Sequence, residues 1–195
     1  VTDLFIEPED ATPLDAEERQ DLLQTWIGTR TDLNEAEQAN IDQAVAWITR
    51  RRSIGAFTDG FLFAVHEQMF GDVWKWAGKV RRTGKSVGID ARFIHVELGS
   101  LVRDVHYWIE QTSYPPDEIA VRFHHRLVAI HPFPNGNGRH ARLMADWLIE
   151  RLGREPFTWG SGTLRETGEL RAQYIAALKK ADGHDIAELI DFARS

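Results

Sequence analysis

DEIAVRFHHRLVAIHPFPNGNGRHAR, residues 117–142, is the stretch on which the reading of the fold turns. Asp117 to Ile130 carries apolar residues at helical spacing and acids in its opening turn, where the helix dipole favours negative charge. Pro132 and Pro134 stop that helix, because proline lacks an amide proton and restrains the residue before it. A second helix is predicted to begin near Gly138, which places the residues between in a helix-loop-helix setting. There Gly136 and Gly138 let the backbone turn tightly and approach a ligand, and the first turn of the following helix leaves amide protons unpaired. Such a place binds anions. The side-chain amide of Asn137 adds a donor, and Arg139 and Arg142, three apart, are predicted to share one side of the new helix and fork onto phosphate oxygens. His131, immediately before the loop, titrates near neutrality and can take a proton from an incoming hydroxyl. A base beside a phosphate cradle points to phosphoryl or nucleotidyl transfer, chemistry that rests on positioning and charge stabilisation. A histidine alone more often serves structure, and Gly-Asn-Gly alone is a turn; the ordered set carries the reading.

Working outward, the chain of 195 residues is long enough to bury a core, and 43% hydrophobic residues with seven Trp supply the material for one. A single domain over 1–195 is expected. A formal charge of −7 argues against nucleic-acid binding through phosphate neutralisation, and the run Arg50 to Arg52 is too short to change that. Absence of Cys excludes disulfides and thiolate metal sites and suits a cytoplasmic setting. The opening VTDLFIEPEDATPLD is acidic, with no apolar run that reads as a signal peptide or membrane span. Helices are predicted from about Asp15 to Ile27, from Glu35 to about Arg52 with Asn34 as cap, and after a Thr58 cap. KVRRTGKSVGIDARFIHV, residues 79–96, has scattered glycines and β-branched residues without helical period and reads as two short strands around a loop. Helical patterning returns with Leu98, Leu101, Val102, Val105 and Trp108, and two more helices follow Gly153, separated at Gly183.

His131-Pro-Phe133-Pro-Asn135-Gly136-Asn137-Gly138-Arg139-His-Ala-Arg142 resembles the signature of the Fic/Doc family, HxFx(D/E)GNGRxxR. It also resembles a bacterial subgroup called mobile mystery protein B. The resemblance implies a mainly α fold, a Fic-like helical bundle with a small β-hairpin flap over the active-site loop. It implies a Fic core at 57–152, N-terminal helices in 1–56 and C-terminal helices in 153–195. The implied activity is transfer of AMP from ATP to a Ser, Thr or Tyr hydroxyl of a protein target, with Mg2+. By position, His131 would be the base, Phe133 would anchor the loop, and Gly136, Asn137, Gly138, Arg139 and Arg142 would hold phosphates. The flap, Lys85, Ser86, Val87, Gly88 and Ile89 within Lys85 to Val96, would align the target by strand addition. The phosphorylating Doc branch has Lys where this chain has Gly138, which favours nucleotidyl transfer. Asn135 departs from the pattern: the family places an acid there to hold magnesium, and an amide keeps an oxygen but loses the charge.

An inhibitory helix pattern, (S/T)xxxE(G/N), fits Thr31 to Glu35 until Ala36 breaks it, and would pair Glu35 with Arg142; inhibition by a partner protein is the alternative. A catalytically weak module that binds nucleotide or a partner, or transfer of another phosphate-containing group, is the competing function. Thr83-Gly84-Lys85-Ser86 looks like the end of a phosphate-binding loop, but Gly78 is one place too far for the required earlier glycine. His124, His125, His131 and His140 do not have zinc-ligand spacing. Trp74 and Trp76, next to an apolar helix, read as core filling rather than a base-stacking platform.

Overall fold

In the computed structural model, residues 20–27, 30–160 and 168–195 are described. Seven α-helices make up the described framework: α1 (Arg30–Thr49), α2 (Asp59–Phe70), α3 (Ile94–Glu110), α4 (Pro116–Ile130), α5 (Asn137–Arg151), α6 (Gly168–Asp182) and α7 (Ala187–Arg194). The two helices flanking the HPFPNG loop, α4 and α5, pack on each other most extensively, with α3 against α4, α1 against α2, and α6 against α7. Helix α5 lies at the centre: Ala141, Met144, Ala145, Leu148 and Ile149 are fully buried along it.

Local chemistry accounts for most helix boundaries. Thr58 caps α2, its hydroxyl accepting from the Phe61 amide at 3.1 Å. Helix α4 opens on Pro116, pre-set for a first turn, and ends where His131 adopts a left-handed conformation (φ 53°, ψ 61°). Aromatic packing ties α2 to α5: Trp147 lies 4.9 Å from Phe61 and 6.0 Å from Phe57, and its indole N–H donates to the Arg51 carbonyl at 2.8 Å. Trp74 and Trp76 stack at 5.1 Å and are buried, as core filling requires.

Helix α1 begins at Arg30, so Asn34 lies within it rather than capping it, and two further expectations change. The helix predicted from Asp15 to Ile27 lies partly outside the described residues; within them, Gln20 to Ile27 is a turn-rich strip, and Leu22 forms an isolated antiparallel bridge to Trp74. Its apolar spacing serves contact with the α2–α3 connection rather than a helix. The expected β-hairpin is likewise not formed: no strand occurs from Lys79 to Val96, and Ile94 already begins α3 after a 3-10 turn at Ala91–Phe93. The polar groups of this segment turn elsewhere. The Arg81 amide donates to Pro132 O at 3.0 Å and the Ile89 amide to Ile130 O at 3.4 Å, so these backbone amides pair with the end of α4 and the loop after it instead of forming a hairpin ladder. Gly88, at φ +102°, also leaves the strand region.

Candidate active site

The loop between α4 and α5 is held from inside. Phe133 is fully buried, its ring stacked 3.6 Å from His66 at 13° and set edge-on to His140 at 5.1 Å. Asn137 closes the turn: its side-chain oxygen accepts from the Phe133 amide and its side-chain nitrogen donates to the Phe133 carbonyl, both at 2.9 Å. That corrects the expectation that the Asn137 side chain is presented to phosphate; both ends of its amide shape the loop. Gly136 takes φ +77°, and a Cβ there would meet the Phe70 ring at 2.6 Å, so both backbone conformation and space require glycine. Gly138 stands more openly, with Tyr174 Oη 4.0 Å from where a Cβ would be. The first turn of α5 thus follows a left-handed glycine with no side-chain cap.

His66, which the sequence reading passed over, braces this arrangement. Its Nδ1 accepts from the Gly78 amide at 3.0 Å, which leaves Nε2 as the donor to the Asn135 carbonyl at 3.0 Å. The ring is fully buried and remains neutral: burial first, then the neighbouring His140, holds its pKa well below the usual histidine value, against the bond to Asn135 that raises it. A lone histidine on an apolar helix carries no local sign of this role.

His131 sits at the left-handed end of α4, 8% exposed. Burial, then the charges of Arg81 and Lys85, push its pKa down to about 4, against a backbone hydrogen bond at Val128. At neutral pH the imidazole is therefore uncharged. Gly88 brings the flap segment onto it, since a Cβ at that glycine would lie 2.6 Å from the His131 Cβ. Of the flap residues, Ser86, Val87 and Gly88 are exposed, while Lys85 and Ile89 are half-buried.

Arg81 ties flap to loop and was also missed. Only 3% exposed, it donates from Nε to His131 O at 2.6 Å, from Nη1 to Thr83 O at 2.9 Å, and from Nη2 to Ile89 O and to Ile130 O at 3.4 Å. Burial lowers its pKa from the ordinary arginine value, partly offset by Asp90. Its fork suits several carbonyls at once, which a lysine does not.

The two motif arginines diverge rather than share one face. Arg139 lies over the Phe70 ring at 4.8 Å and pairs with Glu37 Oε2 at 2.6 Å; buried Arg142 lies 5.2 Å from the Tyr174 ring. Glu37 is itself held by the Trp74 indole N–H at 2.8 Å. Glu35, the acid expected to reach Arg142, is exposed on α1. Two residues along a helix turn a side chain by about 200°, so Glu37 faces the core where Glu35 faces solvent. Asn135 is half-buried, and its side-chain oxygen accepts from the Gly136 amide at 2.7 Å. Among the described residues, no group of three His, Asp or Glu is placed to hold a metal.

Four buried histidines, His66, His124, His131 and His140, have pKa values lowered by burial, to about 3 for His124 and His140. Unfolded, each takes a proton below about 6.5. The unfolded state therefore binds more protons as pH falls below that value, and stability drops; Asp146, raised to about 7 by burial, opposes them alone. The melting temperature is expected to fall steadily from about pH 7 to about pH 5, and a flat or rising trend would contradict this protonation pattern.

A helical bundle with this glycine-bounded loop at the start of its central helix defines the class. Residues 56–149 match the model of the Fic/DOC family. The chain is similar to protein adenylyltransferase fic-1 of Caenorhabditis briggsae, 31% identical over 123 residues, which cover 60% of this chain and 22% of that protein. It is also similar to uridine 5'-monophosphate transferase of Xanthomonas campestris, 51% identical over 74 residues, covering 38% of this chain and 13% of that protein. The fold resembles the BepC protein of Bartonella tribocorum with bound AMPPNP, with a TM-score of 0.68 and 17% identity over 92% of this chain and 97% of that one. The chain thus spans about a fifth or less of the curated relatives just named.

Proposed function

We propose that this chain transfers AMP from ATP to a Ser, Thr or Tyr hydroxyl of a protein. The observation that carries this reading is the neutral His131 imidazole, fixed one short loop ahead of the α5 N-terminus. His131 takes the proton of the target hydroxyl, the hydroxyl oxygen bonds to the α-phosphorus, and the bond from that phosphorus to the bridging oxygen breaks to release pyrophosphate. The Gly136–Gly138 backbone, the first-turn amides of α5, Arg139 and Arg142 oppose the phosphate charge. Asn137 acts through the loop shape it holds. The Lys85–Ile89 segment, with exposed Ser86 to Gly88, aligns the target chain beside His131. Magnesium would arrive with the nucleotide phosphates, with the Asn135 side-chain oxygen as its neutral protein donor.

Incubation of the chain with ATP labelled at the α- or the γ-phosphate, together with a lysate, tests the reaction. Protein-bound α-label supports it; γ-label instead indicates phosphorylation, and nucleotide binding without either label indicates a binding module. UTP belongs in the same experiment, since one relative is a uridine 5'-monophosphate transferase.

The Glu37–Arg139 pair favours restraint within the chain, because it occupies a cation the phosphates need. Glu37→Gln is expected to raise labelling by about five- to tenfold, as loss of a charge-assisted pair of this kind frees the guanidinium. Glu35→Gly, at an exposed position, should change it less than about twofold. Equal labelling by the Glu37 variant and the unaltered chain, measured at subsaturating ATP, would remove the restraint from the account.

A further inference from the structure

Beside the flap lies a cleft of about 900 Å3 that the transfer chemistry does not use. Its apolar part comes from Phe63, Trp76 and Pro134, and its rim from Lys75, Lys79 and Arg82, all three exposed. The lysine ammonium groups are steadied by backbone carbonyls, Lys75 by Gln20 O at 3.1 Å and Lys79 by Lys75 O at 2.7 Å, contacts that leave their charges unneutralised. Arg92 is already paired with Asp90 at 2.7 Å, and Asp21 is the single acid among the described lining residues. This cationic rim belongs to a chain of formal charge −7.

We infer that the cleft recognises an acidic segment of the protein target, next to the residue whose hydroxyl is modified. This rests on the proposed transfer reaction and names the chemistry of its substrate. Three observations lead to it. Arg81 and Thr83 line the cleft and run directly into the flap, and Pro134 belongs to the same loop as His131, so a chain laid along the flap continues into the cleft. The rim charge is opposite to that of the chain as a whole, and complementary charge speeds encounter and fixes register. Finally, the apolar floor suits aliphatic side chains between acids; Trp76 is 4% exposed and packed on Trp74, so it offers no open ring face for a nucleic-acid base.

The test measures anisotropy of a fluorescein-labelled peptide, one Ser flanked on both sides by alternating Glu and Leu, against its counterpart with Lys for every Glu. The full chain is expected to bind the acidic peptide at least about tenfold tighter than the basic one, with affinity falling as salt is raised. Lys79→Glu combined with Arg82→Glu should remove at least about tenfold of that affinity and leave ATP binding unchanged. Arg82→Gln, a milder change at an exposed position, should weaken it in the same direction with an unaltered melting curve.

Equal binding of the acidic peptide by the double variant and the unaltered chain overturns the inference. So does tighter, variant-sensitive binding of a single-stranded thymidine oligonucleotide, which would make the cleft a nucleic-acid site. Tighter binding of a peptide comprising residues 1–19 also overturns it, by assigning the cleft to the chain's own acidic stretch. Because these readouts need no turnover, charge-selective peptide binding by a chain that transfers no label to any protein would sink the proposed reaction and leave the cleft as a binding site for acidic segments alone.

Discussion

His131→Ala is expected to lower the proposed transfer of labelled AMP at neutral pH by at least about 10² to 10⁴, the range in which a positioned base contributes, while ATP binding changes only a few-fold. The imidazole is the one group at this loop that is both beside the flap and uncharged above about pH 4, because burial and the charges of Arg81 and Lys85 disfavour its protonated form. The sign of the pH dependence follows. Lowering pH converts the base to its inactive protonated form only near 4, so the acid limb of the rate profile should lie well below the ordinary histidine value. Rates are measured over short times, since the fold weakens in the same direction. Undiminished labelling by the alanine variant would remove His131 as the base; an acid limb near 6.5 would show that the imidazole is far more hydrated than its 8% exposure implies.

Arg81→Met separates the flap from the base. The substitution keeps an apolar stem of similar length but removes the donors to the carbonyls of His131, Thr83, Ile89 and Ile130. Buried carbonyls left without donors are expensive, and the loss is expected to be about 3 kcal/mol, or a fall in melting temperature of roughly 10 °C for a chain of this size. Labelling of a protein target should fall by about 10² or more, because His131 and the flap no longer share one frame, whereas ATP binding at the α5 end should fall far less. A structural role alone would lower both together. Arg81→Lys retains charge but not the fork, and is expected to recover stability only in part. Melting and labelling of Arg81→Met at the level of the unaltered chain would show that the flap is positioned by its own backbone contacts.

Helices α4 and α5, the proline stop between them and the Thr58 cap were legible in the sequence, because each arises from residues within a turn or two of one another. The same holds for the tight turn ahead of α5, which needs only a left-handed glycine before a helix N-terminus. Tertiary structure decided the rest. Lys79 to Val96 has strand-forming residues and turn glycines, yet its polar groups found partners on Arg81 and on residues 130–132, so it became a laced loop. Glu37 rather than Glu35 reaches the motif because α1 docks with that face inward, and it meets Arg139 rather than Arg142 because the two arginines leave α5 toward different neighbours. Asn137 uses its amide within the loop, and His66 and Arg81 act across 69 and 50 positions of chain, on Asn135 and His131 respectively. The sequence by itself therefore determined the helices from α2 onward, the proline stop after α4 and the glycine turn before α5, since capping, periodicity and proline sterics are local. Which acid pairs with a motif arginine, which arginine ties the loop to the flap and how deeply its histidine is buried were decided only by tertiary packing and long-range hydrogen bonding, whose free energies depend on what the folded chain brings alongside.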